Sequence, residues 1–550
     1  MSRIYTCEVL CGHVLSSYRE LIERVSTYLR DGPPSLANAE LADTIINYER
    51  RLLERLRPRE NVSEPSAQRT TVAQLTRMVP IVKWEQLLSA YFHGHSIGQD
   101  TPVLISQPHY FSGLSQIIST TDTTTLNHYM MWRMVMKYAP HLDRTVRSHY
   151  FRFQQFIHGA EDPDQPEEHW WEQCARHTSH YLRHAVGYLY ATKAAGSRVE
   201  DTVRQAEALA EQVKKQAIDS VSSVAWLTDK GPLREKLSSV ELRVGYAFKD
   251  RPKELDNFYL DLIIKPGSHL ENVFEAERFL GRQKARLLSD RATDLAEDQA
   301  WTISAVDTRP IYNRELNTVV VPLAALQSPI FSLEEHPALL YGSFGSLVGR
   351  LMFECLDQAD ADEGRHLFRN NVTRASLQET LRCLANGYPA LDKTLPVNGL
   401  LVAGEALADI AGLTAAFRVS QDLLDIAILD SGPAFVCEEF KVLLRKNSIH
   451  QVPVPPIPSS AAERALQIIK QNFNKLDWDT QLVRILLTQT RAPHESMCEE
   501  VLLRRLEIWS LVSSSAPKRL RVLQTLQQFP EFGRSFGCGT DPESNICHAW

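Results

Sequence analysis

No apolar run in the chain approaches the roughly 18 residues that a membrane-spanning helix needs. The first residues, MSRIYTCEVLCGHVL, hold one arginine and no clean apolar core, which makes a poor signal peptide. There is no block of basic residues and the formal net charge is -7, so a nucleic-acid partner is not expected. The nine cysteines are scattered and never form CxxC, which argues against a zinc finger. Free core thiols and a few long-range disulfides both fit that count. No internal repeat is visible.

What is present describes a soluble globular protein. Hydrophobic residues make up 43% and charged residues 23% of 550 positions, enough chain for a large core and more than one lobe. Apolar residues at three- and four-residue spacing predict helices over 14–58, 72–98, 114–157 and 169–220, from Pro232, and over 266–288. Residues 59–70 and the acidic stretch 159–168 read as loops, and PVLIS at 102–106 as a short strand. At 301 the texture changes to β-branched runs and turn residues, so strands and a lobe boundary are expected there, dividing 1–290 from 300–550. VPVPPIPS at 452–459 reads as an extended surface loop. Asn61-Val62-Ser63 and Asn371-Val372-Thr373 are N-glycosylation tripeptides.

Two stretches carry the chemistry. In YGSFGSLVGRLMFECLD at 341–357, Arg350 and Glu354 stand one helical turn apart among Leu347, Leu351 and Phe353. In GEALADIAGL at 404–413, Glu405 and Asp409 share one side of a helix. If the two helices face each other, Arg350 can bridge Glu354 and Glu405 in a buried ion pair, because a stranded charge on an apolar face is costly. Two histidine groups are weaker signals. His494, Glu495 and Cys498 form HExxC, preceded by Pro493, with no evident third ligand. His177, His180 and His184 fall on one side of a helix and read as a partly exposed face, since no carboxylate base accompanies them.

The pattern resembles the neprilysin family of zinc metallopeptidases, whose first site helix reads HExxH and whose second reads ExxxD. The likeness extends from about residue 5 to Trp550. It includes VAQLTRMVPIVKWEQLL, PHYFSGLSQII, WEQC at 171–174, WLTD at 226–229, NTVVVPLAALQSPIF, YGSFGSLVG, VNGLLVAGEALADIAGL and the closing PEFGRSFGC and CHAW. It implies a mainly α fold with a small β-sheet: a two-lobed neprilysin-like ectodomain with a thermolysin-like C-terminal lobe, lacking its first segment.

Carried over by position, the resemblance places Arg350 and Glu354 on the two zinc histidines and Leu351 on the catalytic glutamate. Arginine offers no lone pair and leucine cannot act as a base. Ser515 stands for a transition-state histidine and Arg309 for the substrate-binding asparagine, within Arg309-Pro310-Ile311-Tyr312. Glu405 matches the third zinc ligand, Asp409 its supporting carboxylate, Asp357 an acidic residue after HExxH, and Arg521 a substrate-contacting arginine. Two family disulfides fall on Cys7–Cys174 and Cys383–Cys547; Cys538 lacks its upstream partner, and another family cysteine falls near Ala492. The family's cytoplasmic tail, membrane anchor and first ectodomain segment have no counterpart, through truncation or loss.

The implied function is a catalytically inactive homologue that binds peptides or another protein, with a dimer with an active relative or a scaffold as further roles. The alternative is an active zinc endopeptidase cleaving short peptides on the amino side of apolar residues. No cofactor is expected on the first reading and zinc on the second. Family resemblance places the protein outside the cell or at the plasma membrane.

Overall fold

The computed structural model describes residues 10–30, 36–54, 67–92, 95–106, 108–157, 170–249, 252–286, 301–356 without 315, 329 and 336, 367–391 without 369, 397–431, and 521, 524, 525, 528 and 547. The chain is mostly helical. Helices α1 (Leu10–Leu29) and α2 (Leu36–Glu54) pack with α6 (Thr123–Tyr138) and α7 (Arg144–Ile157) around a core of Tyr18, Ile22, Ile45, Trp132, Val146 and Phe153. Polar groups inside this core are paired. Trp132 Nε1 donates to Tyr18 Oη at 2.8 Å, and that hydroxyl donates to Glu49 Oε1 at 3.2 Å. Between these helices lie α3 (Val72–Met78), α4 (Trp84–Tyr91), α5 (Pro108–Ser119) and a two-stranded antiparallel sheet.

In that sheet β1 (Ala67–Thr71) pairs with β2 (Pro102–Ser106), Ala67 opposite Ser106. The strand at 102–106 is legible in the sequence. The polar run AQRTT is not, and pairing with β2 gives it the form its own composition does not suggest. The long helix expected over 169–220 is instead α8 (Trp170–Tyr181), α9 (Arg183–Leu189), a π-helical turn and α10 (Val199–Ser220). At the break after Leu182 the His184 amide donates to Tyr259 Oη at 3.2 Å instead of to a helix carbonyl, and the helix that restarts there packs closely. Gly187 lies so close to Ala305 that an added Cβ would sit 2.9 Å from the alanine side chain. Helices α11 (Gly231–Ser238), α12 (Pro252–Phe258) and α13 (His269–Arg286) complete the first part of the chain.

A second sheet follows the order β3-β5-β4, with β3 (Glu241–Gly245) parallel and β4 (Ile311–Asn313) antiparallel to β5 (Thr318–Pro322). All five residues of β5, TVVVP, are buried, as expected for a central strand covered on both faces. Then come α14 (Pro337–Leu340), a π-helical turn over Tyr341–Gly345, α15 (Ser346–Phe353), α16 (Asn371–Leu391) and α17 (Gly399–Ser431). No helix among the described residues is long and apolar enough to cross a membrane.

The largest core joins α10, β3, β5, α15, α16 and α17, from Ala191 to Val419. It draws on both sides of the boundary expected near 300. The parallel pairing of β3 with β5 and the packing of α10 on α15 and α17 carry the chain across it.

Candidate functional site: an arginine-carboxylate cluster

The site is built where α15 crosses α17. Gly349 and Gly412 meet backbone to backbone: a Cβ on Gly349 would lie 2.7 Å from Gly412 O, and one on Gly412 would lie 2.2 Å from Arg350 N. Only glycine allows that approach. It sets Arg350 of α15 against Glu405 and Asp409 of α17. Leu351, next in sequence, points the other way and is 1% exposed in the core. The position that the family resemblance assigns to the catalytic base is therefore occupied by a core side chain.

Arg350 reaches three carboxylates. Its Nη2 lies 3.1 Å from Glu354 Oε1 and donates to Glu405 Oε1 at 3.1 Å, and its Nε lies 3.0 Å from Asp409 Oδ1. Arg521 closes the cluster from the C-terminal part of the chain. Its Nε and Nη2 both donate to Asp409, at 3.0 and 2.8 Å, and its Nη1 lies 2.6 Å from Glu405 Oε1. Two guanidinium charges thus face three carboxylates. Asp409 is 3% exposed, and the Arg350, Glu405 and Arg521 side chains 13–14%.

Burial alone would lower the Arg521 pKa, but the Asp409 and Glu405 carboxylates outweigh it and hold the group above its ordinary value. Tyr388 of α16 stands nearby with its hydroxyl buried and without a hydrogen-bond partner; burial first, then Asp409 and Glu405, raise its pKa. Arg521, expected from the resemblance to meet a substrate, spends its donors on these carboxylates.

Does zinc fit here? A catalytic zinc needs three lone-pair ligands, an open position and a nearby base. The two histidine positions of the resemblance hold a permanent cation and a carboxylate paired to it. Glu405, the one carried-over ligand, is held by both arginines. The donor set does not fit the metal: a guanidinium stays protonated and would repel a dication at this spot.

The remaining carried-over residues are placed as follows. Arg309 is exposed at the entrance to β4, which forms the edge of its sheet among the described residues and touches α15. Cys383 of α16 and Cys547 form a disulfide, and the Cys547 amide donates to Gln528 Oε1 at 2.6 Å. Cys174 is partly buried with no disulfide partner among the described residues; Cys7, the partner that the resemblance implied, lies outside them. Asp357, Asn61, Ala492, His494, Glu495, Cys498, Ser515 and Cys538 also lie outside them.

The histidine row is corrected. His177, His180 and His184 do not share one helix face, because the helix breaks at Leu182 between the last two. His184 turns inward against Phe248 and Phe258, with ring centroids 5.5 and 5.1 Å away. His180 stays exposed, and His177 meets His141 and His269 from other elements.

Comparison with known proteins agrees with this architecture. The N-terminal and catalytic domains of peptidase family M13 match residues 7–247 and 310–431. The chain is 25% identical over 424 residues to endothelin-converting enzyme 1 of Rattus norvegicus, covering 74% of this chain and 54% of that protein. It is 24% identical over 345 residues to neprilysin of Homo sapiens, covering 60% of this chain and 44% of that protein. The chain thus spans about half the length of the curated relatives it matches.

Among solved structures it shares its fold with the zinc metalloprotease ZMP1 of Mycobacterium tuberculosis, solved with an inhibitor (TM-score 0.71, 21% identity, 99% of this chain and 74% of that one). PEPO from Lactobacillus rhamnosis gives a TM-score of 0.72 at 16% identity over 100% of this chain and 77% of that one. The chain belongs to peptidase family M13, the family of neprilysin and the endothelin-converting enzymes.

Proposed function

We propose that this chain is a non-catalytic member of its metallopeptidase family that acts by binding peptides or another protein. The observation that carries the reading is Arg350. Its guanidinium occupies the first zinc-histidine position and is tied to Glu354, Glu405 and Asp409. A cation supplied by the protein neutralises the carboxylates there, while the base position, Leu351, is packed in the core. Retained peptide binding is supported by β4, an edge strand among the described residues that lies against α15, since an extended peptide can add to such an edge. A partner of the same family in a mixed dimer is the companion role.

An extracellular or plasma-membrane-associated setting belongs to the same reading. The Cys383–Cys547 disulfide favours an oxidising compartment. Asn371 of the second glycosylation tripeptide is exposed at the start of α16, while Thr373 is buried. The alternative, an active zinc endopeptidase, is what family membership alone would suggest.

Cleavage of a fluorogenic peptide with an apolar residue after the scissile bond, with and without 1,10-phenanthroline, separates the two. The expected result is no chelator-sensitive cleavage by the unaltered chain, together with measurable binding of the uncleaved peptide by fluorescence anisotropy. Chelator-sensitive cleavage at a rate proportional to protein concentration overturns the proposal. The variant carrying Arg350→His, Leu351→Glu and Glu354→His restores a zinc ligand set with Glu405 and serves as the positive comparison.

A further inference from the structure

We propose that His141, His177 and His269 form a binding site for a divalent transition metal of the zinc class, with three imidazole nitrogens as ligands and a fourth position open to water. The three residues come from three elements. His141 ends a short 3₁₀ turn after α6, His177 lies in α8, and His269 is the first residue of α13. One ring nitrogen from each lies within 4.8 Å of the others. His141 Nδ1 and His269 Nε2 are 3.2 Å apart and share a hydrogen bond while no ion is bound. Two nitrogens bound tetrahedrally to one zinc at about 2.0–2.1 Å stand about 3.4 Å from each other, so this pair already has the spacing of an occupied site.

The rings are held in place by contacts that do not involve them. Tyr138, three residues before His141, sets its ring edge-on to Phe274 of α13 at 4.9 Å and donates its hydroxyl to Glu277 Oε2 at 3.0 Å. Lys137 pairs with the same carboxylate. On the other side, Gly267 at φ 87° turns the chain into α13. The Asn272 side chain then bonds the Lys265 backbone twice, at 2.8 Å each. These contacts clamp the turn bearing His141 against the start of α13. His177 Nδ1 is buried and makes no hydrogen bond, an arrangement that is costly unless the ring is engaged otherwise. His269 is exposed, which gives an ion a way in.

Neutral imidazole suits zinc, copper and nickel, and not calcium or magnesium. The three ligands include no carboxylate that could serve as a base. The ion would act by fastening the 3₁₀ turn, α8 and α13 together, and the site shares no residue with the Arg350 cluster.

The test is calorimetric titration of the full chain with zinc chloride after dialysis against a chelator, with cobalt(II) as an optical probe. One zinc per chain is expected, together with the intense visible absorption of tetrahedral cobalt. His177→Gln and His269→Gln should each weaken binding by more than the roughly 10- to 100-fold that loss of an outer-shell partner costs. His269→Gln changes an exposed side chain, so the metal-free variant should melt with the parent and keep the comparison valid. His494→Ala should leave the titration unchanged. Absence of zinc uptake, or uptake unaltered by both histidine variants, overturns the assignment. The readout is metal and not cleavage, so it stands or falls separately from the question of activity. It also means that zinc in a purified sample would not by itself indicate a working peptidase.

Discussion

Arg350 and His184 show opposite ways of placing a titratable group inside a protein. Arg350 keeps its charge and gathers carboxylates around it. His184 gives its charge up: burial first, then the nearby Arg183, pushes its pKa from 6.5 down to about 3. The unfolded chain takes up that proton near pH 6.5 and the folded chain does not until about 3, so between those values the unfolded state binds more protons. Stability should therefore fall as pH drops through this window, with this group contributing up to about 1.4 kcal/mol per pH unit. Replacing it by an uncharged ring, His184→Phe, should flatten the decline of the melting temperature between about pH 6 and pH 4. Thermal denaturation at several pH values, parent against variant, checks this; parallel curves would count against it.

At this scale the sequence is legible wherever chemistry is local. Arg350 and Glu354 can be paired from their spacing, and Glu405 from the family resemblance. That Arg521 joins the cluster by binding Asp409 is not readable, because the contact joins positions 112 residues apart. His141 and His269 are isolated in sequence and carry no spacing signal at all.

At the scale of elements, the crossing of α15 and α17 decides the geometry of the Arg350 cluster. A methyl group at Gly412 would overlap the backbone around Arg350, and neither helix has a flexible side chain at the contact that could yield. Gly412→Ala should push the helices apart and cost at least the roughly 1–3 kcal/mol of an overpacked core. Urea denaturation should show a lower midpoint, whereas Gly342→Ala, which meets nothing within 4 Å, should be mild. An unchanged midpoint for Gly412→Ala would mean that the helices do not touch there.

Helical periodicity foretells most of these elements, and β-branched runs foretell β4 and β5. It fails at Leu182, where a tertiary contact breaks a helix that the local pattern supports. It fails again at β1 and β3, whose strand form depends on distant partners at β2 and β5.

At the scale of the molecule, long-range links tie the end of the chain to its middle. The Cys383–Cys547 bridge closes a separation of 164 residues, and Arg521 adds an ionic tie to α17. Loss of the bridge by Cys547→Ser should cost about 2–5 kcal/mol, the range for a native disulfide closing a long loop. The check is a shift in melting temperature that reducing agent reproduces in the parent and not in the variant.

The packing of α10 on α15 and α17 has a consequence for how the protein is made. Val203, Ala206, Ala210, Val213 and Ala217 are buried by partners that a ribosome has not yet produced when α10 emerges. At about 5–20 residues per second, the roughly 200 residues from the end of α10 to the end of α17 take about 10–40 s to synthesise. Through that interval the part of the α10 face that α15 and α17 cover waits exposed, so the nascent chain should depend on chaperones far more than the finished protein does.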